Sequence, residues 1–422
     1  MRISSLRTVL TLLVMALVAR TSAADGLLRQ GDYVAVIGDS ITEQRIYSQF
    51  IEDYLLMCQP AGNLRATQFG WGGETAPGFA SRMANDTLRF QPSVATTCFG
   101  MNDGGYSPME PGKAKRYYDG QRSVVEQLKK AGVRLIVVGS PGCVDADTFG
   151  GHSPERAAMY NKTLAAVRDI ARQVAQEQGV VFADVYDPMV SVMTKAKAKY
   201  GSAYHLAGGD GVHPDRNGHL VMAYAILKAL GCDGRIGTIT VDLAGNKAEA
   251  SEGHKVLSCT TGQVEIESSR YPFCFYGDPA QTGSTRGVLE FIPFNEELNR
   301  FQLVVQGLGG QKAKVTWGKV TKEFPAGDLA KGINLAAEFL DNPFSEPFRK
   351  VEEKIAAQQA METPLIKSLL HNLPAYKQMV PEESQAMERI AETLLKKDQV
   401  ARDASAAAVT PVRHTIKIEV VK

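Results

Sequence analysis

The sequence predicts an α/β protein, with a parallel, doubly wound sheet in its first half and a β-rich, helical region after it. Three observations carry this. Strand-like and helical stretches alternate between residues 33 and 231. The later strand runs are almost continuously Val, Ile, Leu and Phe, as strands covered on both faces are. After Gly231 the texture changes to short alternating segments separated by turn residues.

Strands are expected at 33–37, 65–69, 93–99, 133–138 and 180–184. Residues 114–131 gather Val124, Val125 and Leu128 on one side. Residues 154–178 carry a broader apolar face of Ala158, Leu164, Ala165, Val167 and Ile170, so both stretches read as helices. A last helix is expected at 214–230. Five strands joined by helices imply parallel pairing, and such sheets bind ligands beyond the carboxyl ends of their strands.

Alternating segments at 236–243, 263–267, 287–292, 301–306 and 312–317 predict a β-sandwich-like module. Residues 326–408 are charged and helical, most clearly at 345–361 and 381–397, and 414–421 alternates as a final strand returning to the module. The organisation expected is therefore a leader at 1–24, a domain at 25–234, and a β-rich module at 235–422 with a helical insertion at about 326–408.

Composition is that of a globular protein, 44% hydrophobic and 22% charged over 422 residues, with a formal charge of +1. Such a balance leaves no electrostatic footprint for nucleic acid or an anionic membrane surface. Arg2 and Arg7, an apolar run over 9–19, and the small residues Thr21-Ser22-Ala23-Ala24 read as a secretory signal. The expected location is periplasmic or extracellular. The run is too short for a comfortable span, so no stable membrane insertion is expected once the signal is cleaved.

None of the six cysteines has zinc-site spacing. Cys98 reads as a free core thiol, and Cys259 and Cys274, flanking an expected hairpin, as a pair. Asp145, Asp147 and His152 share one loop, read as a solvated loop at the site entrance rather than a cation site. No metal or cofactor is expected. His219 reads as a helix-face residue and His205 as a substrate contact; Asn85-Asp86-Thr87 and Asn161-Lys162-Thr163 match glycosylation acceptors.

Chemistry-bearing residues cluster at the expected strand ends. The first strand stops in Gly38-Asp39-Ser40, which places a serine where an α/β protein holds a nucleophile; a capped strand-to-helix turn would use the same tripeptide. After the second strand, Gly70-Trp71-Gly72-Gly73-Glu74-Thr75 offers backbone N–H groups at close approach. Asn102, in Gly100-Met101-Asn102-Asp103, can donate toward developing negative charge. Before the last helix, Asp210 and His213 stand three residues apart in a Gly-rich loop, the spacing that sets a carboxylate against an imidazole. Trp71 and Tyr106, close to these motifs, would suit a sugar ring or an acyl chain.

In this order, the four stretches resemble the four signature blocks of the SGNH, or GDSL-type, serine hydrolases, over about residues 30–231. The resemblance implies a flavodoxin-like three-layer α/β/α sheet and carboxylic ester hydrolysis. It implies Ser40 as nucleophile, His213 as general base oriented by Asp210, and an oxyanion hole from Ser40, Gly73 and Asn102. Ile41 stands where that family usually has Leu. The expected partner is a small-molecule or polysaccharide ester, O-acetylated carbohydrate first. Lipase or lysophospholipase-type hydrolysis, or a non-catalytic cell-envelope binding role, are the alternatives.

Overall fold

The computed structural model describes residues 27–421; the expected leader lies outside the described residues. Five strands, β1 (Tyr33–Gly38), β2 (Arg65–Gly70), β3 (Val94–Cys98), β4 (Leu135–Gly139) and β5 (Val181–Ala183), form one parallel sheet in the order β2-β1-β3-β4-β5. Strand alternation sorts the core into two layers. Val34, Val36, Val94 and Val137 face helices Tyr47–Met57, Tyr186–Tyr200 and Arg216–Ala229. Ala35, Ile37, Ala95, Ile136 and Val138 face helices Ala76–Asp86, Pro111–Lys130 and Pro154–Glu177. The winding reverses between β1 and β3, so the carboxyl end of β1 opens into the crevice where such sheets bind ligands.

Three of these helices have no clear sequence signal. Tyr47–Met57 is buried on nearly every side and so lacks an amphipathic period. Ala76–Asp86 opens on Ala-Pro-Gly, which reads as a turn, yet Thr75 caps it by accepting the Gly78 N–H at 3.2 Å. Tyr186–Tyr200 has no sharp apolar stripe, although it buries Tyr186, Met189, Val192 and Ala196.

The C-terminal region builds two stacked sheets from β6 (Arg235–Asp242), β7 (Lys247–Ala250), β8 (His254–Thr260), β9 (Gln263–Ser268), β10 (Arg300–Gln306), β11 (Lys312–Trp317), β12 (Val320–Pro325), β13 (Ile333–Asn334) and β14 (Val412–Val420). Their orders are β13-β10-β6-β7 and β12-β11-β14-β9-β8. The inner faces meet at Phe301 and Trp317, whose ring centroids lie 5.7 Å apart. The strand expected at 287–292 is instead a 3₁₀ turn, Arg286–Val288, and the turn that follows it. Val288 and Ile292, one helical turn apart, are the buried apolar side chains, and Pro293 removes a donor that a ladder would need. Cys259 and Cys274 are both free. Cys259 faces Val264 at the turn end of the β8–β9 hairpin, whereas Cys274 lies past Ser268, beyond its other end.

The two halves interlock at β2, an edge strand. Helix Ser345–Pro364 covers that edge: the Gln68 N–H donates to Glu362 Oε2 at 2.9 Å, and Gln358 Nε2 donates to the Ala66 carbonyl at 3.3 Å. Behind them Glu52, pushed up to about 7 by burial, accepts from Gln358 at 3.0 Å and Gln359 at 2.8 Å.

A buried polar chain runs across the strands of one sheet, on its inner face, and ends on the other sheet. Trp317 Nε1–H donates to His414 Nδ1 at 3.1 Å, which leaves the proton of neutral His414 on Nε2. That proton goes to Ser268 Oγ at 2.9 Å, and Ser268 donates to His254 Nδ1 at 2.8 Å. His254 Nε2–H then ends the chain on the Ile236 carbonyl at 2.9 Å. Every member is satisfied only while both imidazoles are neutral. Burial, and then the neighbouring His254, lower His414 to about 3. The unfolded chain therefore binds protons that the folded chain refuses, and stability is lost as pH falls below about 6.5. Replacing His414→Gln should flatten this dependence. Urea unfolding at pH 7 and pH 5 should show the wild type losing roughly 2 kcal/mol more than the variant between the two.

Candidate active site

At the end of β1 the chain turns directly into a short helix, Ser40–Glu43, capped by Asp39, whose Oδ1 accepts the Ile41 N–H at 3.0 Å. The turn holds Ser40 half-buried in the crevice. His213 reaches it from the loop before helix Arg216–Ala229, with Nε2 2.8 Å from Ser40 Oγ. Asp210 Oδ2 lies 2.6 Å from the other ring nitrogen, Nδ1, while its Oδ1 accepts the N–H groups of Val212 and His213, both at 2.9 Å. Partial burial works against a charge on Asp210. The donations from His213 and Val212 outweigh it and hold this carboxyl below the usual range. The carboxylate fixes the proton on Nδ1 and turns the Nε2 lone pair to the serine.

Gly73 and Asn102 flank Ser40 from the ends of β2 and β3. Gly73 adopts φ +74°, a conformation open to glycine, in an exposed turn. Asn102 spends one amide hydrogen on the Glu74 carbonyl at 3.0 Å, so the other stays available. The structure joins Asp210, His213 and Ser40 by hydrogen bonds and sets Gly73 and Asn102 just past the ends of β2 and β3, the strands on either side of β1.

The family model of GDSL-like lipases and acylhydrolases matches residues 36–221. This part of the chain belongs to that family. Residues 36–221 are thus a GDSL-type hydrolase domain acting on ester bonds. Among solved structures, the chain is similar to a gut microbial diltiazem-metabolizing enzyme at 23% identity, with a TM-score of 0.70 over 93% of this chain and 98% of that one. The shared fold therefore extends through the C-terminal region. An acetylxylan esterase from Geobacillus stearothermophilus matches at 22% identity and a TM-score of 0.38, over 48% of this chain and 95% of that one. An α/β hydrolase enzyme from the metagenome of Lake Arreo, Spain, matches at 22% identity and 0.40, over 49% and 98%. No curated protein sequence matches the chain.

Around the site of this GDSL-type hydrolase, several residues do other work than the sequence implies. Asp145 is fully buried rather than solvated; Lys197 pairs with it and with Asp147, and the Asp145 backbone N–H donates to the Gly211 carbonyl at 3.0 Å. It supports the Asp210–His213 turn. His152 folds back onto the Asp147 carbonyl. His205, expected at the substrate, lies with Nδ1 3.5 Å from Asp145 Oδ2 in that same supporting layer. His219 is fully buried; its Nε2 bonds Gln44 Oε1 at 2.9 Å, and burial lowers it to about 3. The amide of Asn161 bonds the Val144 N–H and carbonyl, both at 2.9 Å, and that of Asn85 bonds the Leu370 carbonyl at 2.8 Å, so neither acceptor motif presents a free amide. Among the described residues no group of three or more His, Cys, Asp or Glu side chains could hold a metal ion, and no helix is long and apolar enough to cross a membrane.

The two aromatics differ in use. Trp71 is engaged by Arg82 at 4.6 Å and Lys367 at 4.8 Å from its ring centroid, with His371 edge-on at 4.7 Å. Tyr106 stacks one face on Tyr160 at 4.9 Å and is 39% exposed, its hydroxyl 3.4 Å from Asn102 Oδ1. Tyr106 is the open ring. The positions that sequence reasoning missed, Glu43, Lys367 and His371, come together from distant segments, and no local spacing marks them.

Gly208 tests the supporting turn. A Cβ there would lie 1.8 Å from the His213 carbonyl oxygen, at φ +75°. Gly208→Ala should displace His213 and cut ester hydrolysis about 10²-fold. The far-ultraviolet circular dichroism should stay that of the wild type.

Proposed function

We propose that the protein is an exported serine esterase that hydrolyses carboxylic esters through an acyl-Ser40 intermediate, with O-acetylated carbohydrate as its substrate class. The observation that carries the reading is the unbroken relay from Asp210 Oδ2 through His213 to Ser40 Oγ, at 2.6 and 2.8 Å. Ser40 attacks the ester carbonyl as His213 Nε2 takes its proton. Asp210 stabilises the imidazolium so formed. The N–H groups of Ser40 and Gly73 and the Asn102 amide receive the oxyanion. His213 then returns the proton to the leaving alcohol and activates the water that frees the acid.

Two features favour a compact acyl group on a sugar. Tyr106, 39% exposed with its hydroxyl beside Asn102 and its ring stacked on Tyr160 and Phe149, offers aromatic surface suited to the apolar face of a sugar. The basic, apolar and small-residue succession over 1–24 supports export, where polysaccharide esters are met.

With p-nitrophenyl acetate, Ser40→Ala should lose at least ~10³-fold in kcat. Asn102→Ala should lose about 10²–10³-fold, most of it in kcat. Hydrolysis surviving in Ser40→Ala would sink the assignment. Acetate should be cleaved faster than octanoate, and acetylated xylo-oligosaccharide should release acetate. A preference for octanoate would favour lysophospholipid esters instead.

A further inference from the structure

The loop that carries Gly73 is held in place by side chains from the far end of the chain. Glu43, the last residue of the short helix that begins at Ser40, accepts the Gly72 N–H on Oε2 at 2.5 Å. Its other oxygen, Oε1, takes the ammonium of Lys367 at 2.5 Å. Lys367 lies in a π-helical turn, Leu365–Leu370, that continues helix Ser345–Pro364. One helical turn on, His371 Nδ1 lies 2.7 Å from Asp86 Oδ2; Asp86 holds Arg82 at 3.2 Å, and Arg82 holds Glu74 at 2.5 Å. The carbonyl of Glu74 is the one that accepts from Asn102. Trp71, between these two tethers, is gripped by Arg82, Lys367 and His371 together.

We infer that Lys367 is a positioning residue for catalysis: by fixing Glu43 against the Gly72 N–H, it sets the neighbouring Gly73 N–H at the oxyanion. The inference rests on the reading of Ser40 as nucleophile. Oxyanion donors act through preorganisation, because a donor that must reorient during reaction gives back much of what it contributes. Gly72 and Gly73 have no side chains with which to anchor themselves, and both are exposed. Their order has to be imposed from outside, and Glu43 imposes it. Glu43 and Lys367 are each only about a quarter exposed. Without the ammonium, the carboxylate would turn toward water and leave Gly72 without its acceptor. Lys367 and His371 lie outside residues 36–221, so this clamp is an addition from the C-terminal region to the hydrolase core.

The test is Lys367→Met, which keeps an unbranched apolar stem over Trp71 and removes the charge, alongside Lys367→Arg, which restores it. With p-nitrophenyl acetate, Lys367→Met should lower kcat roughly tenfold or more while KM moves less than about threefold. Affinity for phenylboronic acid, which mimics the tetrahedral adduct, should fall in step with kcat, and Lys367→Arg should recover most of both. A loss of structure alone would lower the melting temperature without that split. A folded Lys367→Met that keeps kcat within twofold of the wild type overturns the inference. If Lys367→Met does not fold, Glu43→Gln breaks the same bridge from the other side, and unchanged kcat there overturns it equally. Hydrolysis that survives Ser40→Ala would instead overturn the nucleophile reading, a result independent of Lys367.

Discussion

A parallel sheet has to end somewhere, and the free edge of β2 is the constraint on which the arrangement of the whole chain depends. Its outward backbone groups need partners, since an unmet buried amide or carbonyl costs about 1–3 kcal/mol. Gln358 and Glu362 supply them from a helix some three hundred residues away in sequence. Those two side chains are themselves buried, which recruits Glu52 and Gln359 into one network. A polar seam of this kind has far fewer acceptable registers than an apolar one, because each donor must meet its own acceptor. The helix is therefore fixed along its length as well as across it, and the turn that follows it arrives at Trp71 in a defined position.

The hydrolase core was legible because its signals are local. Strand runs such as 65–69 and 133–138 are short and bounded by turns, the second almost wholly apolar, and the structure places strands there within two residues at either end. Ser40, Gly73 and Asn102 sit just past strand ends, and Asp210 and His213 in the loop before helix Arg216–Ala229, all in Gly-rich segments whose order along the chain is itself informative. Helix Tyr47–Met57 escaped because burial on nearly all sides erases the period that betrays a helix. The supporting contacts escaped for another reason. Glu43 with Lys367, and Asp86 with His371, are pairs joined only by folding, and no spacing within a single segment foretells them. The run 287–292 misled because alternation over six residues cannot be told from two apolar residues one helical turn apart.

The β module shows how polar groups can sit in a core without charge. Tryptophan, two histidines and a serine hand hydrogen bonds along one line to a backbone carbonyl, and each proton position follows from the one before. Such a line specifies the register of β11, β14, β9 and β8 within one sheet, since sliding any of these strands by one residue would break its bonds, and its last bond, from His254 to the Ile236 carbonyl of β6, ties that sheet to the other. The apolar rings around it, Phe301 and Phe344 among them, supply the burial that keeps both imidazoles neutral.

The place of β14 in its sheet has a consequence for how the chain is made. It lies between β11 and β9 and pairs with both, yet it follows them only after the whole helical insertion. At about 5–20 residues per second of synthesis, β9 waits on the order of ten seconds for the strand that will cover it. Over that interval two strand edges stand open beside each other, and the half-sandwich cannot close. The hydrolase sheet, all of whose strands precede Arg235, can pair first. Assembly of these two parts thus has a natural order, catalytic sheet before β module, with the nine-residue strand Val412–Val420 as the latch of the module.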